Sequence, residues 1–322
     1  MLRILAAVIG GVLLLAQTAF PVFAQTWPAR PIRLVVPFSP GGSTDITTRV
    51  FAESLRLLLG QTALVDNRPG AGGNIAAELV ANAAPDGYTY LVSGATMATN
   101  MSLYKNLRYD FMRDFSHVSQ TFSSSNVLVV IPNLPVANLA EFIAYVKSGK
   151  NTVHYGSGGH GTSQHLAAAL FNNMVAGNMV HVPYKGGAPA AVALLAGEIQ
   201  TIFAPLIEVL PHIRSGSIRA LAVCGKKRSP LVPGVPVIGD LLPGYETSSW
   251  GGISAPANTP AAIVNKLSQT LVKVLTQPIV KAHLAEADKE PVGSTPTEFK
   301  QFIATEIERL RMQVRISGAK VD

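Results

Sequence analysis

One cysteine, Cys224, stands in 322 residues, which excludes an intramolecular disulfide framework and, so far from the N-terminus, a lipid-attachment site. Charged residues make up only 14% of the chain. The single basic cluster, Lys226-Lys227-Arg228, is too short for a nucleic-acid footprint and reads as a solvated turn, so no nucleic-acid partner is expected. No long apolar span is present either. The run Ile4–Leu15 is cut by Gln17, Thr18 and Pro21, short of the ~18 residues that a membrane-crossing helix needs. Also missing are the G-x-S-x-G elbow, the G-x-x-x-x-G-K-[ST] loop and the H-E-x-x-H helix, and no twin arginine occurs. No catalytic residue is therefore nominated.

What the N-terminus does contain is Arg3, that short apolar run and the small-residue sequence Val22-Phe23-Ala24, the pattern of a cleavable signal peptide over residues 1–24 with the mature chain starting at about Gln25. Cleavage removes one positive charge from the formal +7, leaving +6, a mild field that favours anionic solutes without selecting among them. Nearly half of the chain is apolar, enough for a large core divided between two lobes.

Strand-length apolar runs alternate with segments of helical period, the signature of an α/β fold with mostly parallel sheets flanked by helices. Ile32–Phe38 reads as a buried strand and Ile46–Leu59 as the helix after it. A strand near Ala63–Asp66, a glycine-rich loop at Arg68–Asn74, a helix at Ile75–Ala84 and a strand at Tyr88–Val92 follow. A second round of the scheme runs through the strands Thr152–Tyr155, Met179–Pro183 and Gln200–Phe203. The strand Ile218–Val223 is expected to carry the chain back, and the last quarter reads as helices over Ala261–Ala287 and Thr297–Val314. The divisions expected are a first lobe over residues 25–125, a second over 126–224, and a return to the first over 225–322.

Two loops carry the chemistry. In Phe38-Ser39-Pro40-Gly41-Gly42-Ser43-Thr44-Asp45 a strand ends in glycines and hydroxyls that open a helix. Unpaired helix N–H groups and the positive dipole end favour an anion there. No Arg or Lys lies between Phe38 and Thr48, so the donors are backbone and hydroxyl groups. Thr44 and Asp45 also fit a purely capping role. The second loop, Gly156-Ser157-Gly158-Gly159-His160-Gly161-Thr162-Ser163, matches G-x-G-x-x-G by spacing. The acidic residue expected about 20 positions on is absent, since that region reads His181-Val182-Pro183-Tyr184-Lys185. A dinucleotide cofactor is not expected, and none other is implied. His160 and His165, five apart, do not share a metal-binding face, and the remaining histidines are scattered, so no metal is expected.

The stretches "WPARPIRLVVPFSPGGSTD", "VDNRPGAGGNIAAELVANAAPDGYT", "YGSGGHGTSQHLA", "VHVPYKGGAPA" and "LPHIRSGSIRALAV", in this order, resemble the successive signature blocks of the Bug receptors, the TctC family. The resemblance runs from Trp27 to the C-terminal helices. It implies a monomeric, periplasmic, non-catalytic solute receptor with the two-lobed type II periplasmic binding protein fold. Such a receptor closes on a small organic carboxylate and delivers it to the membrane subunits of a tripartite tricarboxylate transporter. By the same resemblance the ligand carboxylate is held by Phe38, Ser39, Gly41, Gly42, Ser43, Thr44 and Asp45, with Ser93 and Gly94 nearby. Gly159, His160, Thr162, Ser163 and Ala204 close over it from the second lobe. Asp45 stands where receptors for amino dicarboxylates use an aspartate near the ligand amine. Two departures stand out: Ala204-Pro205 replaces a polar pair common in relatives, and His160 replaces a frequent asparagine. A sensory receptor sharing the fold, and a secreted enzyme acting on an anionic substrate, are the alternatives.

Overall fold

The computed structural model describes residues 27–321, so the signal-peptide reading of residues 1–24 lies outside the described residues. The apolar run IRLVV forms β1 (Ile32–Val36), an interior strand of its sheet with four of its five residues buried. It pairs in parallel with β2 (Ala63–Asn67) and β3 (Thr89–Gly94). The crossovers are α1 (Ser43–Leu59) and α2 (Asn74–Ala81). In α1, Phe51, Ala52 and Leu55 fall at helical spacing and pack into the core of the first lobe. A further helix, α3 (Ala95–Leu103), starts directly at the end of β3.

The chain then forms β4 (Phe115–Ser124) and, one residue later, β5 (Asn126–Val130), which belongs to the other sheet. The second lobe continues through α4 (Leu139–Ser148), β6 (His154–Ser157), α5 (Ser163–Met174), β7 (Val180–Pro183), α6 (Gly187–Leu195), β8 (Thr201–Pro205), α7 (Leu206–Arg214) and β9 (Arg219–Val223). After residues 224–248 the chain re-enters the first sheet as β10 (Ser249–Pro256). It ends with α8 (Ala261–Thr276), α9 (Pro278–Glu286), β11 (Lys289–Pro291) and α10 (Pro296–Ser317). The strand orders are β11-β4-β10-β3-β1-β2 and β7-β6-β8-β5-β9.

Three features differ from the sequence-based expectation. Both sheets are mixed rather than mostly parallel: β10 runs antiparallel to β3 and β4, and β5 antiparallel to β8 and β9. The strand at Ile218–Val223 does not carry the chain back; as β9 it stays in the second sheet beside β5. The helix expected over Ala261–Ala287 breaks at Gln277, whose extended backbone precedes Pro278, a residue that opens helices and cannot continue them.

Each lobe has its own buried core. In the second, Phe142 stacks on Phe171, surrounded by Leu128, Phe203 and Tyr245. In the first, α10 lays Phe299, Ile303 and Ile307 against the sheet, and the edges of Trp250 and His117 meet the Phe299 ring. The arrangement matters for the site because β1, β3, β6, β7 and β8 all hand over to helices at their carboxyl ends. The resulting helix starts, α1, α3, α5, α6 and α7, surround the crevice between the lobes, where open α/β sheets bind their ligands.

Candidate ligand-binding cleft

The crevice holds a cavity of about 100 Å³ whose wall includes residues from all five of these helix starts: Ser43, Ala95, Ser163, Gly187 and Glu208. Each start presents backbone N–H groups without helical partners, so their partial positive charges converge on one small volume. That volume is on the scale of a small organic acid.

Eight of the residues expected at the site line the cavity: Phe38, Gly42, Ser43, Thr44, Ser93, Gly94, Thr162 and Ser163. Six do not. The Asp45 carboxylate is buried and committed to the Gly41 N–H (2.9 Å), Arg49 and Asn67, so it shapes the loop from behind. Burial alone would raise its pKa, but Arg49, the Gly41 N–H and Asn67 together hold it below the ordinary carboxylate value. Gly41 is the donor in that bond and faces solvent. Ser39 gives both its N–H (3.1 Å) and its hydroxyl (2.8 Å) to the Lys185 carbonyl across the crevice, fastening one lobe to the other. Gly159 and His160 contact Gly72 of the first lobe through their backbone. Ala204 is fully buried in the second-lobe core, and its neighbour Pro205 takes the place on the wall.

The residues that the sequence did not single out carry the charge. Glu208, in the first turn of α7, reaches across the crevice and accepts the Ser43 N–H at the start of α1 (2.7 Å), while its other oxygen accepts from Gln164 Nε2 (3.1 Å). Burial pushes this carboxyl above its ordinary pKa, opposed by the Ser43 N–H, Lys289 and Gln164. On the opposite side Lys289, buried on β11, donates to the Ser43 carbonyl (3.3 Å) and to Thr47 Oγ1 (2.5 Å) and lies 4.3 Å from the centre of the Phe122 ring. Burial pulls its ammonium well below the ordinary lysine value, against the attraction of Glu208. Trp250, Gly251 and Phe122 give the cavity an apolar flank.

One of the histidines expected to be scattered, His181, is not. His160, His165 and His181 converge beside the second loop, with one ring nitrogen of each within 4.8 Å of the others. His165 and His181 stack with centroids 4.1 Å apart at 14°. An imidazole lone pair lies in the plane of its ring, so no single point serves both stacked rings, and a shared metal ion would require the stack to be dismantled. His165 Nδ1 moreover accepts the Gly161 N–H (3.2 Å), and His181 Nε2 is paired with Ser157 Oγ (2.6 Å). The stacked His165 and His181 rings, which burial keeps neutral, therefore act as a wedge that shapes the loop.

Burial and the neighbouring His160 hold His165 down to about 4, and burial with nearby Lys300 does the same to His117. Both are neutral in the fold and become cationic more readily once unfolded. Their contribution is complete above the unfolded value near 6.5 and is lost as the pH falls towards 4. With His181, which burial and the neighbouring His165 depress in the same direction, urea unfolding is expected to show a loss of about 4 kcal/mol between about pH 7.5 and about pH 5.5, at ~1.4 kcal/mol per histidine per pH unit below about pH 6.5. A flat profile over that interval would mean that these rings are solvated.

Comparison with known proteins places the chain in a family. The family described as "Tripartite tricarboxylate transporter family receptor" (TctC) matches residues 47–318. The chain is 39% identical over 320 residues to Protein BugT of Bordetella pertussis, covering 98% of each chain. Among solved structures it is similar to R. palustris Rpa4515 with adipate, at 36% identity and a TM-score of 0.88, covering 92% of this chain and all of that one. It is also similar to MatC of Rhodopseudomonas palustris with bound malate, at 31% identity and a TM-score of 0.85, covering 89% of this chain and all of that one.

Proposed function

Because this chain belongs to the TctC family of tripartite tricarboxylate transporter receptors, periplasmic solute-binding proteins that are not enzymes, we propose that it captures a small organic carboxylate between its lobes and delivers it to the membrane subunits of such a transporter. The observation that carries this reading is the convergence of five helix starts on a cavity of about 100 Å³. Unpaired N–H groups and dipole ends of that sign stabilise an anion. The solved relatives with adipate and malate supply the chemical class.

One loop is not sufficient by itself. Micromolar affinity needs ~8 kcal/mol net. Charge-assisted hydrogen bonds return about 1.5–3 kcal/mol each, and ordering the ligand and closing the lobes subtracts from the sum. Donors from α1 and from the α5 start at Ser163 must therefore act together, with Lys289, whose ammonium an incoming carboxylate would help to keep protonated.

A thermal-shift screen of C3–C8 mono- and dicarboxylates, followed by calorimetry, is expected to find at least one tight ligand. Gly42→Val is expected to weaken it by at least about tenfold with an unchanged circular dichroism spectrum. Gly42 has an ordinary extended backbone (φ −81°), so valine costs no strain, yet its Cβ would stand 3.3 Å from Glu208 Oε1 at the mouth of the seat. A folded Gly42→Val protein with wild-type affinity would place the ligand elsewhere.

Export belongs to the same proposal. Mass spectrometry of the periplasmic fraction is expected to give an N-terminus at Gln25, and a soluble form that retains Met1 would contradict it.

A further inference from the structure

Glu208 lies on the start of α1, the carboxylate seat of the proposed function. Its two oxygens span the lobes, one on the Ser43 N–H of α1 and the other on Gln164 Nε2 of α5. The surroundings are shaped for a carboxylate. At Gly187, the first residue of α6, a Cβ would overlap both Glu208 oxygens, so only glycine leaves the space; on the other side a Cβ at Gly42 would stand 3.3 Å from Oε1. Lys289 lines the same cavity, and the mutual attraction of the two groups opposes the burial that disfavours the charge of each.

From this arrangement we infer that Glu208 is a specificity-determining residue, a tethered carboxylate that links the start of α1 to α5 across the crevice and that an incoming ligand must displace. The inference rests on the reading of the α1 start as the carboxylate seat. Its consequence is a threshold. A tethered group competes at a high effective concentration, millimolar or more. A short monocarboxylate offers the seat nothing that Glu208 does not already provide, so it is rejected. A longer acid that also touches the Trp250 and Phe122 flank, or pairs a second polar group with the hydroxyls of Ser93 or Ser163, gains enough to exchange with Glu208. The receptor thereby ignores small, abundant acids such as acetate while remaining open to larger ones.

Wild type, Glu208→Ala and Glu208→Gln are titrated with acetate and propionate, with calorimetry and thermal unfolding as readouts. In Glu208→Ala either probe fits the vacated volume, with one oxygen for each of the two donors. It is expected to bind at least about tenfold more tightly than to wild type and to raise the melting temperature of the variant selectively. Glu208→Gln keeps an amide oxygen for Ser43 but lacks the charge, and is expected to fall between the two. If Glu208→Ala does not fold, Glu208→Gln decides: binding no tighter than wild type overturns the inference. A folded Glu208→Ala protein that takes up neither probe overturns it as well. Should wild type then still bind a larger carboxylate, the displacement role fails alone; should no variant bind any carboxylate, the receptor reading fails with it.

Discussion

Gly72→Ala is expected to leave both lobes folded and the receptor unable to close, with ligand affinity reduced by at least about tenfold, more than ~1.4 kcal/mol. Gly72 sits in the glycine-rich loop before α2 with φ +59°, where alanine costs about 1 kcal/mol in open and closed forms alike. The larger effect is specific to closure. A Cβ at this position would run into the backbone carbonyl of His160, in the facing lobe, and into the Tyr104 hydroxyl. A backbone carbonyl held between β6 and α5 has no easy way to give, so the lobes must part. Small-angle scattering should show a larger radius than wild type and no contraction with ligand. Wild-type affinity in this variant would mean that the loops need not meet for binding.

Phe299→Ala is expected to cost about 3–5 kcal/mol, the usual range for removing a fully buried aromatic ring. Phe299 has no solvent exposure, meets the edges of His117 and Trp250, and lies over the bare backbone of Gly252. It fastens α10 to the middle of the first sheet, and Trp250 is itself on the cavity wall. Urea unfolding should therefore show the loss in stability, and calorimetry a weaker ligand. A change below about 1 kcal/mol would mean that α10 is held mainly elsewhere, for instance by the Trp250–Glu306–Arg309 hydrogen bonds.

The loops were legible because their signals are local. Gly41-Gly42-Ser43-Thr44 and Gly161-Thr162-Ser163 advertise a strand ending and a helix beginning within a few residues, and the structure puts α1 and α5 there. The charged pair was not legible. Glu208 lies in "LIEVLPHIR", where Pro211 obscures the helical period, and Lys289 lies in "AEADKEP", which reads as a solvated turn. Only the tertiary fold brings two residues 81 positions apart to opposite sides of one cavity. The central strands β4 and β10 were hidden for a related reason. Their sequences, FSHVSQTFSS and SWGGISAP, are rich in serine and glycine, poor strand formers whose placement is dictated by the helices packed over them. The histidine cluster needed the parallel pairing of β6 with β7, which sets His181 beside the loop that carries His160 and His165.

The most direct test of the account is a crystal structure of the mature protein with the tightest carboxylate from the screen. The account predicts electron density for the carboxylate within hydrogen-bond distance of the Ser43 N–H, with the second lobe closed over it through the Gly158–Gln164 loop and Glu208 displaced from its present position. A carboxylate bound outside this cleft, or within it with Glu208 still on Ser43, would contradict it.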